Sequence, residues 1–279
     1  MNFKDLKKKS FEELEKKAFN AMQRIFPCET ELMEDIPIDE IITAFKEKIT
    51  TSKNPFLFRV AGQSGSGKSS QIVPSLQEAL KKYQYIKISV GDFAPFHPKY
   101  DIWKKTDSST VREKTNGFAL KALVLFYKHC IENRVNVLLD MTLLEPEIDI
   151  YLMGLAKNMN YQIHTHLLCV PKKVSDSFIR QRQKQTGRYV KPSSYNYFFK
   201  ALNRCLKALI RSGLFDTNDK LILWSHYTNY PIKQTHLKNP VSTCILQKYQ
   251  EGNFKIKNPK KLLKTRIKWM KLFLELSNV

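Results

Sequence analysis

One segment in the first quarter of the chain limits the possible folds more than any other. Apolar residues at 56–61 predict a buried strand, and the loop sequence GQSGSGKS follows directly at 62–69. This spacing matches the phosphate-binding pattern G-x-x-x-x-G-K-[ST], which needs a strand before the loop and a helix after it. A helix predicted at about 68–83 completes that arrangement. The segment therefore predicts a nucleoside triphosphate site on an α/β scaffold.

The residue types in this loop suit the binding of ATP and Mg²⁺. Glycines let backbone N–H groups turn toward phosphate oxygens, and the N-terminus of the following helix adds partial positive charge. We expect Lys68 to reach the β- and γ-phosphates and to act in catalysis, and Ser69 to ligate the metal. The predicted ATP-binding residues are Gly62, Gln63, Ser64, Gly65, Ser66, Gly67, Lys68, Ser69 and Ser70.

After the loop, predicted strands alternate with predicted helices. The strands are assigned to apolar runs at 85–90, 135–141, 162–170 and 221–224. The helices are assigned at 109–132, 147–158, 171–185 and 193–211. This alternation is typical of βαβ units and a parallel sheet. We predict an α/β fold of the P-loop NTPase and kinase type, whose sheet is covered by helices on both faces.

Helical patterns also precede and follow this core. Residues 3–25 and 38–49 predict two helices before the loop, and 259–276 predicts a Lys-rich helix near the end of the chain. We therefore divide the chain into an N-terminal helical extension at 1–50, a P-loop kinase core at 51–230 and a basic C-terminal helical extension at 231–279, packed on the core.

Charge is distributed unevenly along the 279 residues. The formal net charge is +21, from 47 Lys and Arg against 26 Asp and Glu. Residues 1–50 hold 9 basic and 11 acidic side chains, so 51–279 hold 38 and 15, a net charge of +23. Such a surface attracts nucleic acid, an acidic protein or nucleotide substrates. Alternatively, the lysines are spread over solvated faces without any partner. The basic and aromatic residues do not alternate in the way that would predict a stacking platform for bases. This argues against nucleic acid as the partner.

The location and redox state follow from composition. The longest apolar runs are short, and the charged N-terminus lacks the apolar stretch of a secretory signal. Five widely spaced cysteines form no C-x-x-C pair, so neither a zinc site nor a disulfide framework is indicated. We expect a cytoplasmic protein with reduced thiols and no membrane span.

A series of short motifs resembles the zeta toxin family, the P-loop kinases of bacterial toxin–antitoxin systems. After the loop come DF at 92–93, HPKYD at 97–101 and LLDMT at 138–142. They are followed by VPK at 170–172, a helix with Arg182, GR at 187–188 and SGLFD at 212–216. The motifs keep the family's order and similar spacing, and together they cover about residues 56–225.

The resemblance implies an activity and a set of residues. The family transfers a phosphoryl group from ATP to a hydroxyl of UDP-N-acetylglucosamine, so a nucleotide-sugar acceptor and an antitoxin partner are expected. Phosphoryl transfer needs a proton acceptor and positive groups around the moving phosphate. We assign the base to Asp92 and the catalytic cations to Lys68, Arg182 and Arg188. The residues assigned to the acceptor are Asp92, His97, Lys121, Asp140 and Thr142.

Two positions depart from the family pattern. The family has its base Asp one residue earlier, where this chain has Gly91. The family also has an acidic acceptor contact on the helix after the His-Pro loop, where this chain has Val124. These departures leave other acceptors open, such as a nicotinamide nucleotide or a nucleic-acid end. They also leave open a protein that binds nucleotide without transferring phosphate.

The acidic segment 1–50 allows two interpretations. It could complete the core as a structural extension. Alternatively, it could pack on the basic kinase body and temper its activity or shape an antitoxin site, because family antitoxins use a helical segment to obstruct the nucleotide site. Deleting residues 1–50 and measuring ATP turnover and growth arrest distinguishes the two interpretations.

Overall fold

A seven-stranded sheet runs through the centre of the protein. The computed structural model describes residues 8–26, 35–107, 109–169, 172–186, 197, 201–202, 204–206, 208–209, 211–214, 219–225, 241–248 and 254–256. Within these ranges, no helix is both long enough and apolar enough to cross a membrane.

The strands occur in the spatial order β2-β3-β1-β4-β5-β6-β7. Strands β1 to β5 are parallel, whereas β6 and β7 add on as antiparallel strands at one edge. The bounds are β1 Phe56–Gly62, β2 Ile86–Ser89, β3 Val137–Asp140, β4 Gln162–Cys169, β5 Lys220–Ser225, β6 Val241–Lys248 and β7 Phe254–Ile256. The predicted parallel α/β sheet is therefore confirmed, with an antiparallel edge in addition.

Seven helices have defined bounds in the described part of the chain. They are α1 Lys8–Ile25, α2 Ile38–Phe45, α3 Val73–Leu80, α4 Tyr100–Thr106, α5 Val111–Glu132, α6 Pro146–Asn158 and α7 Lys172–Thr186. One π-helical turn, Lys68–Ile72, joins the phosphate loop to α3. Further helical residues occur at 197, 201–202, 204–206, 208–209 and 211, within the helix predicted at 193–211.

Helices cover both faces of the sheet, as predicted. Alternation along β1 directs Leu57 and Ala61 into a large core with α1, α2, α5 and α6, whereas Val60 points to a smaller core on the other face. The smaller core also contains Val73 and Leu76 of α3. Helix α5 is apolar on most of its circumference because α1 and α2 cover the side that faces away from the sheet.

The structure differs from the sequence analysis in three elements. The short helix α4 was not predicted. Within 231–279, where a helical extension was predicted, residues 241–248 and 254–256 are strands. These segments pair with their neighbours in the sheet, and such long-range pairing leaves a weak local signal. The helix predicted at 259–276 lies outside the described residues, and the division at residues 50 and 230 stays a prediction.

Candidate active site

The carboxyl ends of the central parallel strands meet at one edge of the sheet. Ser89 at the end of β2 lies beside Asp140 at the end of β3, and Asp140 lies beside Val60 of β1. Neighbouring strands are about 4.8 Å apart. The phosphate loop, Asp140 and the turn that contains Asp92 therefore lie along the same edge of the sheet, the edge at which open α/β sheets bind ligands.

The glycines of the phosphate loop meet two separate demands. Gly67 has φ 94°, a conformation that other residues rarely adopt, and it starts the helical turn at Lys68. Gly65 lies against α7, where an added Cβ would stand 2.6 Å from the carbonyl oxygen of Ser175 and 2.7 Å from Cγ1 of Ile179. Both positions therefore need glycine, one for its backbone angle and the other for close packing.

Lys68 is held over the loop by the loop's own carbonyl groups. Its Nζ donates to the carbonyl oxygen of Gly62 at 2.9 Å and to that of Gln63 at 3.1 Å. The N–H of Ser66 also donates to the Gln63 carbonyl, at 3.2 Å. The ammonium group thus lies at the mouth of the phosphate loop.

A hydrogen bond joins the loop to the end of β3. Oγ of Ser69 donates to Oδ2 of Asp140 at 2.7 Å, across 71 positions of sequence. Asp140 is 8% exposed. A hydroxyl and a carboxylate at this distance are the oxygen ligands that Mg²⁺ takes from a P-loop protein, with the remaining ligands coming from phosphates and water. The described residues contain no cluster of three or more metal-ligating side chains.

Asp92 belongs to a short 3-10 turn, Val90–Asp92, directly after β2. Its Oδ2 accepts hydrogen bonds from the N–H of Ser89 at 2.7 Å and from Oγ of Ser89 at 3.0 Å. This is a capping box that orients the half-buried carboxylate. Ser89 was not among the predicted site residues, although the pattern S-x-x-D at 89–92 was the available signal.

Gly91 leaves open space beside that carboxylate. An added Cβ would meet only Oγ of Ser89, at 3.9 Å. The chain has already left β2 at this point, so the strict alternation of strand side chains does not apply to Asp92.

Arg182 lies on the side of α7 that packs toward the phosphate loop. Ser175 and Ile179 contact Gly65, and a spacing of three residues from Ile179 places Arg182 on the same helix face. Arg182 is half-buried, and burial lowers the pKa of its guanidinium, whereas Arg180 and Lys184 are exposed. Arg188 lies outside the described residues.

Two other predicted acceptor residues face the interior of the α-layer. The ring of His97 is 2% exposed, and its centroid is 4.7 Å from that of Trp103 and 4.9 Å from that of Phe118. Its Nδ1 accepts the N–H of Lys99 at 3.0 Å, which shapes the turn. Nζ of Lys121 lies 6.0 Å from the ring centroid of Phe19 in α1. No described contact joins either residue to the phosphate loop.

Thr142 and Val124 differ in access. Thr142 is half-buried, two residues beyond Asp140 in the loop between β3 and α6. Val124, which stands where the family has an acidic contact, is 0% exposed within the core. Solvent therefore reaches Thr142 but not Val124.

Comparison with known proteins agrees with this geometry. The zeta toxin family model matches residues 39–226. A structure from the PezAT chromosomal toxin–antitoxin system of Streptococcus pneumoniae has 16% identity and a TM-score of 0.59, covering 87% of this chain and 92% of that one.

Two further structures are less similar, and no curated protein sequence matches the chain. The AvrRxo1-ORF1:AvrRxo1-ORF2 complex with ATP has 14% identity and a TM-score of 0.49, covering 91% of this chain and 71% of that one. A gluconokinase from Sinorhizobium meliloti 1021 has 19% identity and a TM-score of 0.35, covering 64% of this chain and 86% of that one.

The family model spans well over half of the chain, from α2 to just beyond β5. It includes the carboxyl ends of strands β1, β2 and β3, where the phosphate loop, Asp92 and Asp140 lie. The fold is that of the P-loop kinases. This chain belongs to the zeta toxin family.

Proposed function

We propose that the protein is an ATP-dependent phosphotransferase that acts on a hydroxyl of a nucleotide-sugar of the UDP-N-acetylglucosamine kind. The observation that supports this best is the hydrogen bond between Ser69 and Asp140 at the mouth of the phosphate loop, 2.7 Å long. It brings together a hydroxyl and a carboxylate of the kind that hold Mg²⁺ in P-loop proteins, in a chain of the zeta toxin family.

The chain's own residues divide the work of phosphoryl transfer. The phosphate loop, Gly62 to Ser70, binds the triphosphate through backbone N–H groups and Lys68. Ser69 and Asp140 would hold Mg²⁺, which neutralises charge on the β- and γ-phosphate oxygens when it is bound. In this proposal Asp140 acts on the metal, whereas sequence analysis assigned it to the acceptor.

Asp92 is the proposed base. Ser89 holds its Oδ2, and Oδ1 makes no described contact, which leaves one oxygen to accept the proton of the acceptor hydroxyl. Arg182, and Arg188 beyond the described residues, would pair with the transferring phosphate. Thr142 would contact the acceptor, whereas His97 and Lys121 would act through packing.

A second acceptor class has one specific observation in its favour. Val124 is 0% exposed, so no side chain at this position replaces the family's acidic contact with the sugar nucleotide. A kinase of a different nucleotide or of a nucleic-acid end accommodates this loss, and the net charge of +23 over 51–279 agrees with such an acceptor.

We also propose a protein partner and a location. The first structure described above comes from a toxin–antitoxin system, and the basic kinase body offers charge complementarity to an acidic antitoxin. ATP and nucleotide-sugars are cytoplasmic, which assigns the protein to the cytoplasm.

One assay tests the proposal. The protein is incubated with ATP, Mg²⁺ and a panel of UDP-N-acetylglucosamine, nicotinamide nucleotides and oligonucleotides, and mass spectrometry detects added phosphate. We expect the sugar nucleotide to be phosphorylated, with turnover abolished in Lys68→Ala and unchanged in Lys81→Ala, a surface lysine paired with Glu78. Phosphate on another panel member would favour the second acceptor class. ATP binding with no product on any acceptor would overturn the proposal in favour of a non-catalytic protein.

A further inference from the structure

A cluster of three side chains lies just beyond the proposed acceptor contact. Nη2 of Arg204 donates to Oε1 of Glu145 at 2.6 Å, and the hydroxyl of Tyr197 donates to the same oxygen. The guanidinium carbon of Arg204 stands 5.5 Å from the centroid of the Tyr197 ring. We call Glu145, Tyr197 and Arg204 the carboxylate clasp.

The clasp lies at the end of a short loop, residues 141–145, whose other residues are held by contacts of their own. Its first residue, Met141, donates its N–H to the carbonyl oxygen of Val60 at 3.1 Å, which ties it to β1. Leu143 and Leu144 are 0% and 5% exposed in the large core. Glu145 caps the start of α6, where its carbonyl accepts the N–H of Asp149 at 3.1 Å. Thr142 is therefore a half-buried residue between fixed points, two residues after Asp140.

The partners of Glu145 come from a distant, anchored part of the chain. Leu202, Cys205 and Leu206 are each 0% exposed in the same core, so Arg204 is carried by buried neighbours. The side chain of Glu145 is only 13% exposed. A largely buried carboxylate that accepts one hydrogen bond from a guanidinium and one from a phenol is held firmly. Burial, with the hydrogen bond to Glu145, raises the pKa of Tyr197 to about 12, so its hydroxyl remains a donor.

We infer that Glu145 is a positioning residue, whose clasp by Tyr197 and Arg204 fixes the loop 141–145 and thereby aims Thr142 at the acceptor. The inference rests on the proposed function for its acceptor. Glu145 lies on the loop that carries Thr142, and the phosphate loop is a separate segment at 62–70. The clasp therefore acts on acceptor binding and leaves nucleotide binding unchanged.

Steady-state kinetics on the full chain separates positioning from simple stabilisation. In Glu145→Gln and Tyr197→Phe we expect the KM for UDP-N-acetylglucosamine to rise about tenfold, the scale of one hydrogen bond to a charged group, with the KM for ATP unchanged. The matched control is Glu147→Gln, which removes a surface carboxylate from the same helix, paired with Arg24 at 3.1 Å. The double variant Glu145→Gln/Tyr197→Phe should lose less than the two single effects added together, because both changes act on one hydrogen-bonded cluster.

A second measurement does not depend on the acceptor. Hydrogen exchange of the 141–149 amides in the ligand-free protein should quicken in Glu145→Gln and Tyr197→Phe, but not in Glu147→Gln. Tyr197→Phe removes only a hydroxyl, so its hydrogen-exchange result tests the inference even if Glu145→Gln lowers the stability of the protein. Unchanged exchange, or a KM for ATP that rises as much as that for the acceptor, overturns the inference. Wild-type protein that phosphorylates nothing overturns the proposed function, while the exchange result still judges the clasp.

Discussion

One of the two departures from the family pattern concerns the adjacent residues Gly91 and Asp92. The family base falls on Gly91, which has no side chain, whereas the carboxylate of Asp92 is held by Ser89 through two hydrogen bonds at 2.7 and 3.0 Å. Because the turn has left the strand, a shift of one position does not send Asp92 to the opposite face of the sheet. The geometry thus allows Asp92 to act as the base, although by a different backbone route.

Exchanging carboxylates at these positions tests that assignment. We expect Asp92→Asn to lower kcat by about 10²-fold with unchanged ATP affinity, because only proton transfer is lost. Gly91→Asp should raise the rate of Asp92→Asn again, since the space around position 91 accepts a side chain whose nearest neighbour is 3.9 Å from Cβ. Asp39→Asn, on the exposed side of α2, serves as the control. A near-normal kcat in Asp92→Asn would remove the residue from this role.

At the scale of elements, one ion pair joins the central strand to a helix inside the core. Arg59 of β1 pairs with Asp149 of α6, and both side chains are 0% exposed. Burial lowers the pKa of Arg59 to about 10. Such pairs cost desolvation on both sides and contribute little net stability, but a single partner left in the core is strongly destabilising. The pair therefore links the phosphate-loop strand to the helix that follows the acceptor loop.

Single and double replacements of the pair should behave oppositely. Arg59→Met should lose about 3–5 kcal/mol of unfolding free energy by leaving Asp149 buried and uncompensated. Arg59→Met/Asp149→Leu should return to wild-type stability or exceed it. Denaturant unfolding measures both, with Lys17→Met, which breaks the surface pair with Glu13, as a control of no measurable effect. A double variant as unstable as the single one would contradict this account.

His166 of strand β4 is a buried titratable group, and it makes the free energy of unfolding depend on pH. Burial, with repulsion from His164, lowers the pKa of His166 to about 3. An unfolded histidine titrates near 6.5, so below that pH the unfolded chain binds a proton that the folded one does not. The stability that comes from keeping His166 neutral is therefore fully present above about pH 6.5 and is lost as the pH falls toward 3.

The prediction concerns the slope of that loss. Between pH 6 and pH 4, His166 should contribute about 1.4 kcal/mol of lost unfolding free energy per pH unit. Urea unfolding across this range should show a shallower decline for His166→Leu than for wild type, whatever the stability of the variant at pH 7. Thr165→Val, a buried neighbour on the same strand whose side chain does not titrate, should keep the wild-type slope. Parallel curves for wild type and His166→Leu would refute the prediction.

For the whole molecule, the question is what residues 1–50 do. Ala18, Ala21 and Met22 of α1 and Ile41 of α2 are all 0% exposed in the large core. Oε1 of Glu15 accepts hydrogen bonds from the hydroxyl of Tyr151 at 2.5 Å and from Nζ of Lys128 at 2.9 Å, which ties α1 to α5 and α6. Phe45 of α2 stacks on Phe93, the neighbour of Asp92, with centroids 5.8 Å apart. These contacts favour the core-completing interpretation over the regulatory one.

Deleting the segment should therefore damage the fold. Without residues 1–50, the outer side of α5 is exposed, and we expect loss of the cooperative unfolding transition in circular dichroism. Glu15→Gln is the milder variant and should cost about 1–2 kcal/mol of unfolding free energy, since it weakens contacts to two partners. A truncated protein that folds and arrests growth or turns over ATP faster than wild type would restore the regulatory interpretation.

The local parts of the protein follow from the sequence. The phosphate loop, the strand before it and the helix after it are specified by residues within about one supersecondary unit, so β1 and the turn at Lys68 were predicted closely. Alternation of β and α elements predicted the parallel sheet and its covered faces. The antiparallel strands β6 and β7 were not predicted, because the Lys-rich pattern near the end of the chain favoured a helical extension over 231–279.

Only the tertiary structure decided which distant residues meet. Ser69 contacts Asp140 across 71 positions because β1 and β3 are neighbours in the sheet, a fact that no local pattern contains. Val124 is buried, and Lys121 lies against Phe19, because α1 packs on α5. Glu145 is joined to Arg204 across 59 positions for the same kind of reason. Short-range chemistry therefore determined the phosphate loop, whereas packing between distant elements decided which residues are close to the proposed metal and acceptor sites.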